Sequence, residues 1–160
     1  MRMFDASSML HAWEEYLPGQ LLTLWDWLGE QVQAQEISLL SEAMKEGTDR
    51  APDCACWLRA NGLRVLQVSP SVASAAMDIK RLLRISDDQY HPKGVDENDI
   101  LIIAAAQVHG VELISNENQQ PRLPQDMRHY KIPAVCALPA VSVVCLSFRD
   151  YLAASGQVFR

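Results

Sequence analysis

The sequence predicts an α/β fold, a single-domain α/β/α sandwich with a mainly parallel central sheet, over residues 1–160. Two observations support this prediction. Strand-like and helix-like segments alternate along the chain without repeats or low-complexity stretches, which is typical of parallel strands joined by crossover helices. A chain of 160 residues with 49% hydrophobic content is also large enough to bury one full core, which favours one domain.

The first half of the sequence alternates short strands with amphipathic helices. Apolar residues recur at helical spacing from Leu21 onward, whereas residues 63–68 alternate as a half-buried strand does. Gly47 and Pro52 mark the end of one helix and the start of the next. The predicted order is a strand at 3–4, a helix containing 9–13, a helix over 21–35, a short helix over 41–46, a helix from Pro52, a strand over 63–68 and a helix over 70–85.

The second half contains one fully apolar helix between two loops. Residues 86–97 form a polar loop with Pro92-Lys93-Gly94, and loops of this length in compact domains are often functional. The helix over 99–109 is apolar on every side, so we expect it to be buried, with Asn98 as its cap. The other predicted elements are an end of this helix at Gly110, a strand over 111–115, a loop over 116–130, a strand over 141–146 and a final helix that opens with the capping box Ser147-Phe148-Arg149-Asp150 and ends near Gly156.

Composition narrows the classes of protein. The amino-terminal apolar run is too short for a signal peptide, and no stretch approaches the roughly 18 apolar residues of a membrane span, which predicts a cytoplasmic protein without a membrane partner. A net charge of −6 argues against a protein that coats nucleic acid by charge alone, although it leaves a nuclease open. The four cysteines match neither a redox motif nor zinc-ligand spacing, so we expect reduced, mostly buried thiols.

Several common catalytic motifs are missing from the sequence. No serine lies in Gly-x-Ser-x-Gly, and no glycine-rich phosphate loop occurs, which disfavours serine hydrolases and nucleotide cofactors. His91 lies near several aspartates between residues 87 and 99, but without ligand periodicity, which disfavours a zinc site.

Four acidic residues, Asp5, Glu46, Asp99 and Glu117, each lie where a strand or short turn meets the start of a helix. Asp5 follows the first strand, Asp99 falls in the first turn of the apolar helix, and Glu117 follows a strand. Open α/β sheets bind ligands at the carboxyl ends of their strands, so these acids are candidates for one metal site. Any single one of them is also typical of a helix cap, a partner of the helix dipole or a solvated charge.

The sequence resembles a PIN domain, and more closely an uncharacterised bacterial branch of PIN-like proteins found with toxin–antitoxin modules. The resemblance spans nearly the whole chain, and the order and spacing of its motifs carry it. These motifs are Asp5-Ala6-Ser7, Glu46 after Ile37-Ser38-Leu39, Asp99-x-x-Ile102-x-Ala104-x-Ala106 and Leu113-Ile114-Ser115-Asn116-Glu117, with Leu24-Trp25-Asp26-Trp27-Leu28, the Asp96 to Asp99 loop and Lys131-Ile132-Pro133-Ala134-Val135-Cys136 for the branch.

The resemblance implies a Mg²⁺- or Mn²⁺-dependent endoribonuclease that hydrolyses phosphodiester bonds in an RNA substrate, acting as the toxin of a toxin–antitoxin pair. It also implies that a protein antitoxin binds this chain and that the chain can form a homodimer. Hard divalent cations prefer carboxylate oxygens and water, and a bound ion generates a nucleophile from water, which agrees with the residue types. Two alternatives stay open: a PIN-like binding module without activity, and a structure-selective DNA nuclease with the same metal chemistry.

The resemblance also implies roles for particular residues. Asp5 and Asp99 are expected to bind metal directly, while Glu46 and Glu117 bind the ion or its waters. Glu42 lies one helical turn before Glu46 and is an alternative to it. Ser7 and Ser115 are expected to hydrogen-bond ligand waters or a phosphate oxygen, and Asp96 is a reserve ligand. The candidate RNA-phosphate contacts are the basic residues Lys80, Arg81, Arg84, Lys93, Arg122, Arg128 and Lys131, for which a solvated helix or loop surface is the alternative.

Overall fold

The computed structural model describes residues 1–160 and confirms the predicted fold class. Five short parallel strands form one sheet, and eight α-helices complete an α/β/α sandwich. In chain order the elements are β1 (Arg2–Phe4), α1 (Ala6–Glu15), α2 (Leu22–Gln33), β2 (Ile37–Leu40), α3 (Ser41–Arg50), α4 (Pro52–Ala60), β3 (Arg64–Leu66), α5 (Pro70–Leu82), α6 (Glu97–His109), β4 (Leu113–Ile114), α7 (Ile132–Cys136), β5 (Cys145–Leu146) and α8 (Phe148–Ser155), with a 3₁₀ turn at Met127–His129.

The sheet has the strand order β3-β2-β1-β4-β5, so β1 lies at its centre. All four strand pairs are parallel, and Phe4 of β1 lies opposite Leu39 of β2 on one side and Ile114 of β4 on the other. Every residue of β2 is buried, as expected for a parallel strand covered by helices on both faces. The carboxyl ends of all five strands therefore meet at one edge of the sheet.

Helix α6 is the buried helix that its uniform apolar character predicts. Ile102, Ile103 and the three alanines Ala104, Ala105 and Ala106 are all buried in the main core. The helix begins two residues earlier than predicted, because Asp96 rather than Asn98 is its cap. It ends at Gly110 in the left-handed conformation (φ 62°), as predicted.

Two helix ends differ from their predictions. Helix α3 continues through Gly47 to Arg50, so glycine does not end it; the cost of an interior glycine is only about 1 kcal/mol and is easily offset by packing. Helix α5 ends at Leu82, because Arg84 adopts the left-handed conformation (φ 60°) and the Ile85 N–H returns to the Lys80 carbonyl at 3.1 Å. This Schellman-type end lacks the glycine that usually signals it.

Strands β3, β4 and β5 are shorter than predicted, and strand β2 and one helix were not predicted. Strand pairing covers only Arg64–Leu66 in β3, Leu113–Ile114 in β4 and Cys145–Leu146 in β5. The five-residue helix α7 has a proline in its first turn and is too short to show an apolar period. The capping box of α8 is present in part, because the Ser147 hydroxyl accepts from the Asp150 N–H at 3.1 Å, and Gly156 ends this helix as predicted.

The cysteines and the helix lengths bear on the composition-based predictions. All four cysteines are free; Cys54 and Cys136 are buried, Cys145 is half-buried and Cys56 is exposed. Burial raises the pKa of the Cys54 thiol to about 12, which keeps it protonated and unreactive.

None of the helices combines the length and the apolar character that crossing a membrane requires.

The two long loops of the second half touch along a backbone seam formed by residues 94–95 and 128–130. The Val95 N–H donates to the Tyr130 carbonyl at 3.0 Å, and an atom placed at the Cβ position of Gly94 would lie 1.8 Å from the Arg128 carbonyl oxygen. Only glycine allows this approach. The seam joins the loop that leads into α6 to the loop that leads into α7.

We expect Gly94→Ala to destabilise the fold by about 3 kcal/mol, because the added methyl group meets backbone that cannot rotate away. Chemical denaturation with urea measures this change. Gly19→Ala is the matched control, since nothing lies within 4 Å of its Cβ position, and it should leave the free energy of unfolding within about 0.5 kcal/mol. Equal stability of the two variants would contradict the seam.

Candidate functional site

The strand order reverses beside β1, which creates a crevice at the carboxyl edge of the sheet. From β1 the chain moves to β2 and β3 on one side, and later to β4 and β5 on the other. Ligands of open α/β sheets bind at such a switch point, outside the carboxyl ends of the strands. Asp5 directly follows β1, and Ser115 directly follows β4, so the two residues lie on opposite sides of the crevice.

Asp5 is the most enclosed acid of the crevice, with only 3% of its surface exposed. It caps α1, and its carboxylate accepts three hydrogen bonds: from the Ser7 hydroxyl (2.7 Å) and the Ser8 N–H (2.8 Å) on Oδ1, and from the Ser115 hydroxyl (2.6 Å) on Oδ2. A carboxylate has about four lone-pair positions, so one position on Oδ2 stays open. The three donors fix the direction in which this position points.

Burial raises the pKa of Asp5, and the hydrogen bonds from Ser115, Ser7 and Ser8 counteract that rise. The Ser115 hydroxyl bonds both the Asp5 carboxylate and the Glu117 N–H, so the two acidic residues are neighbours, and the charge of Glu117 raises the Asp5 pKa further. In the structure the hydroxyls of Ser7 and Ser115 both donate to the Asp5 carboxylate. Their predicted hydrogen bonds to ligand waters or a phosphate oxygen stay predictions. Ser7 also accepts from the Asn116 N–H at 3.2 Å, which links the ends of β1 and β4 a second time.

Asp99 lies in the first turn of α6 and forms a reciprocal pair with the capping residue Asp96. The Asp96 N–H donates to Asp99 Oδ2 at 3.0 Å, and the Asp99 N–H donates to Asp96 Oδ1 at 2.9 Å. Burial raises the pKa of Asp99 to about 8, and the charges of Asp96, Glu117 and Asp5 contribute to the rise. Asp99 therefore lies within electrostatic reach of two other predicted site acids.

Glu117 reaches the crevice from the loop after β4. Its Oε2 accepts from the Ile132 N–H at 2.9 Å, so this carboxylate also caps α7. Its backbone N–H donates to the Ser115 hydroxyl at 3.3 Å. Oε1 has no donor from the protein. Glu117 thus combines a structural role at the start of α7 with a free oxygen beside Asp5 and Asp99.

The donor set fits a hard divalent cation held largely through water. No three His, Cys, Asp or Glu side chains are arranged to enclose a metal ion directly. Mg²⁺, however, commonly takes one or two protein carboxylates and keeps several waters. Three carboxylate oxygens retain a free acceptor position: Asp5 Oδ2, Asp99 Oδ1 and Glu117 Oε1. The negative charges of these carboxylates repel one another, and a bound cation would relieve that repulsion.

Glu46 already forms an ion pair with a neighbouring side chain. It lies six residues past the end of β2, where its Oε1 accepts from Arg50 at 3.1 Å in an exposed ion pair. Glu42 lies two residues past the same strand end, in the first turn of α3, and its Oε2 accepts from the Ser41 hydroxyl at 2.5 Å. One helical turn, about 5.4 Å of rise, separates the two positions. The placement therefore favours Glu42 as the acid contributed by β2 and α3.

The predicted phosphate contacts are spread over several elements, although Arg84 and Arg128 line one pocket. Arg81 pairs with Asp78 at 2.9 Å near the far end of α6, Arg128 forms a two-pronged pair with Asp126, and Lys80 lies 5.1 Å from the ring centre of Tyr90. Arg84, Lys93 and Arg122 are exposed in loops. Lys131 directly precedes Ile132, whose N–H donates to the Glu117 carboxylate, so the backbone of Lys131 lies close to Glu117.

A polar groove of about 390 Å³ adjoins Ser115 and Glu117, and no single sequence motif predicts it. Ser115 and Glu117 form the side that it shares with the crevice. Its other sides come from α1, from the loop after β4 and from the start of α8, which are far apart in the chain. Ser8 was also missed, although its spacing of three residues from a capping aspartate is a usable signal for the hydrogen bond that it donates.

The fold and crevice define a class of protein, an α/β protein with clustered carboxylates at the switch point of a parallel sheet. The chain belongs to the family described as a domain of unknown function (DUF4411), whose model matches residues 3–159. That range contains Asp5, Asp99, Glu117 and both candidate acids of α3. No curated protein matches the chain.

Proposed function

We propose that the protein is a Mg²⁺- or Mn²⁺-dependent endoribonuclease, with its active site at the crevice between the ends of β1 and β4. The single observation that carries the proposal is the approach of Asp5, Asp99 and Glu117, three carboxylates from distant parts of the chain, at the switch point. Grouping buried acids destabilises a protein unless a cation or a proton accompanies them. An oxygen-ligand site that keeps several waters suits phosphodiester hydrolysis.

The division of labour follows from the surroundings of each acid. Asp5 is held by three donors, so its open lone pair provides a fixed ligand position. Asp99 offers its free Oδ1, and Glu117 positions waters with its free Oε1 while Oε2 anchors α7. We assign Glu42 rather than Glu46 as the acid from α3, because it lies closer to the end of β2. When bound, the divalent ion lowers the pKa of a coordinated water and stabilises charge on the phosphate oxygens.

RNA is an anionic substrate, and the net charge of the protein is −6. A divalent ion at the acids locally reverses the sign of the field at the reacting phosphate. Lys131, half-buried and directly before the Ile132 N–H that donates to Glu117, is the sequence-predicted basic residue that we assign to a neighbouring phosphate. The toxin role, the antitoxin partner and the homodimer stay predictions from the PIN-like resemblance.

The experiment that tests this function incubates purified protein with a single-stranded RNA and a DNA of the same sequence, with Mn²⁺, Mg²⁺ or EDTA. We expect metal-dependent cleavage of RNA. Glu42→Gln should lower kcat/KM about 10- to 100-fold, because the proposal assigns Glu42 to the metal site as the acid nearest the end of β2. Glu46→Gln is the matched control on the same helix face and should stay within about twofold of wild type, since Glu46 pairs only with Arg50.

The outcomes separate the alternatives. Failure to cut either nucleic acid would leave a PIN-like binding module without activity. Cleavage of DNA alone would make the protein a DNA nuclease. A loss confined to Glu46→Gln would overturn the placement of Glu42 and restore the assignment made from the sequence.

A further inference from the structure

The groove beside the acids has the size and position of a second half of the site. Its volume of about 390 Å³ lies within the range of small-molecule sites, roughly 300–1,000 Å³. Ser115 and Glu117 belong to both the groove and the acid group. A nucleic-acid strand with one phosphodiester bound at Asp5, Asp99 and Glu117 would therefore place the neighbouring nucleoside in the groove.

One wall of the groove is aromatic and fixed in place. The rings of His11 and Tyr16 meet edge to face with centroids 5.9 Å apart, and Phe148 supports Tyr16 at 5.3 Å. His11 and Tyr16 are only half-buried, so part of each ring faces the groove. Aromatic faces stack with nucleobases of any sequence, which contributes about 1–3 kcal/mol per base.

The lining of the groove also includes amide groups without internal partners. Asn118 and Gln119 are exposed, and neither side chain makes a hydrogen bond within the protein. Asparagine and glutamine each offer a donor and an acceptor, the combination that pairs with the edge of a base. Asn116 is different, because its Oδ1 already accepts from the Phe148 N–H at 3.3 Å.

Two charged residues at the start of α8 complete the rim. Arg149 forms no ion pair, so its guanidinium is free for a phosphate. Asp150 is exposed, and its carboxylate accepts no hydrogen bond from the protein. A carboxylate repels phosphate but accepts from a hydroxyl, and the ribose 2′-hydroxyl is the donor that RNA has and DNA lacks.

We propose that this groove binds the nucleoside adjoining the scissile phosphate of single-stranded RNA, with its base between the aromatic wall and the amides of Asn118 and Gln119. The proposal rests on the proposed nuclease function, because the acids determine which phosphate is cut. Single strands are required, since a base in a duplex is stacked and its edge is paired. The groove is then the part of the protein that selects the base beside the cut.

The test compares wild type with Asn118→Ala and Gln119→Ala on a pool of randomised ten-nucleotide RNAs with Mn²⁺, and sequencing locates the cut ends. We expect wild type to prefer particular bases next to the cut, and the variants to lose this preference. On a preferred oligonucleotide, each variant should raise KM about tenfold with little change in kcat, because the base contact is made before the chemical step. Gln157→Ala, an exposed amide beyond the other end of α8, is the control.

A binding measurement separates this proposal from the nuclease function. Binding is measured by fluorescence anisotropy of a labelled RNA oligonucleotide, with every variant made in the non-cleaving Asp99→Asn background. The two groove variants should bind about tenfold more weakly, and the control should bind with unchanged affinity. Unchanged binding by both variants overturns the groove proposal even if wild type cuts RNA. Weaker binding without any cleavage by wild type supports the groove and removes the nuclease. Equal affinity for the matching DNA overturns the assignment to RNA.

Discussion

Asp99→Asn is expected to abolish metal-dependent cleavage, with a loss in kcat/KM of about a thousandfold, or about 4 kcal/mol of transition-state stabilisation. The substitution removes the carboxylate whose pKa is raised to about 8 by burial and by the charges of Asp96, Glu117 and Asp5, while keeping its size. An amide oxygen is a weaker ligand for a hard cation than a carboxylate. Cleavage rates measured over a range of Mn²⁺ concentrations report the loss.

Asp53→Asn provides the matched control for this variant. Asp53 also lies in the first turn of a helix, α4, but it is exposed and has no side-chain contact with the crevice. It should retain full activity. Asp99→Asn should remain folded, because the Asn Oδ1 can still accept from the Asp96 N–H that now donates to Asp99. Wild-type activity in Asp99→Asn would remove the carboxylate site.

The stability of the metal-free protein is expected to fall as pH rises toward 8. Asp99 has a pKa of about 8 in the folded chain, against 3.8 as its ordinary value, so the folded state keeps a proton that the unfolded state releases. The stabilisation is fully present below about pH 4 and is lost as pH rises through 8. The raised pKa of Asp5 acts in the same direction. We expect a loss on the order of 2 kcal/mol that Asp99→Asn largely removes.

Mn²⁺ should reverse this dependence, because the cation competes with protons for the same carboxylates. Thermal unfolding at pH 5.5 and pH 8, with and without Mn²⁺, measures the effect. The gain in Tm from Mn²⁺ should be larger at pH 8 and nearly absent in Asp99→Asn. A gain that is equal in wild type and Asp99→Asn would show that Mn²⁺ binds elsewhere.

The sequence predicted the fold class because alternation and hydrophobic periodicity are local signals. The apolar run of α6 indicated a buried helix, and Gly110 marked its end. The stops of α3 and α5 were wrong, because Gly47 stays helical and Arg84 takes a left-handed conformation without being glycine. Such ends depend on tertiary packing, which outweighs a propensity difference of about 1 kcal/mol.

The site was predictable only where it lies next to a strand end. Asp5 is one residue past β1, and this position alone placed it at the sheet edge. Glu42 and Glu46 share a helix face, so periodicity cannot distinguish them; their distance from the end of β2 does. Similarly, Asp96 and Asn98 are both residue types that commonly cap helices. Asp96 is the cap in the structure, because its backbone is extended and its side chain accepts from the Asp99 N–H. The polar groove combines residues from four separate segments of the chain, which no local pattern reports.

The seam at Gly94 has a consequence for how variants of this protein are interpreted. Asp99 stands at the end of one long loop and Glu117 at the beginning of the other, while the loops are joined at Gly94 and at Val95 with Tyr130. The separation of the two acids is therefore set partly by backbone contacts at Gly94 and Val95. An inactivating change in this seam would look like the loss of a catalytic group in an activity screen, and only a metal-binding measurement would distinguish a displaced ligand from a missing one.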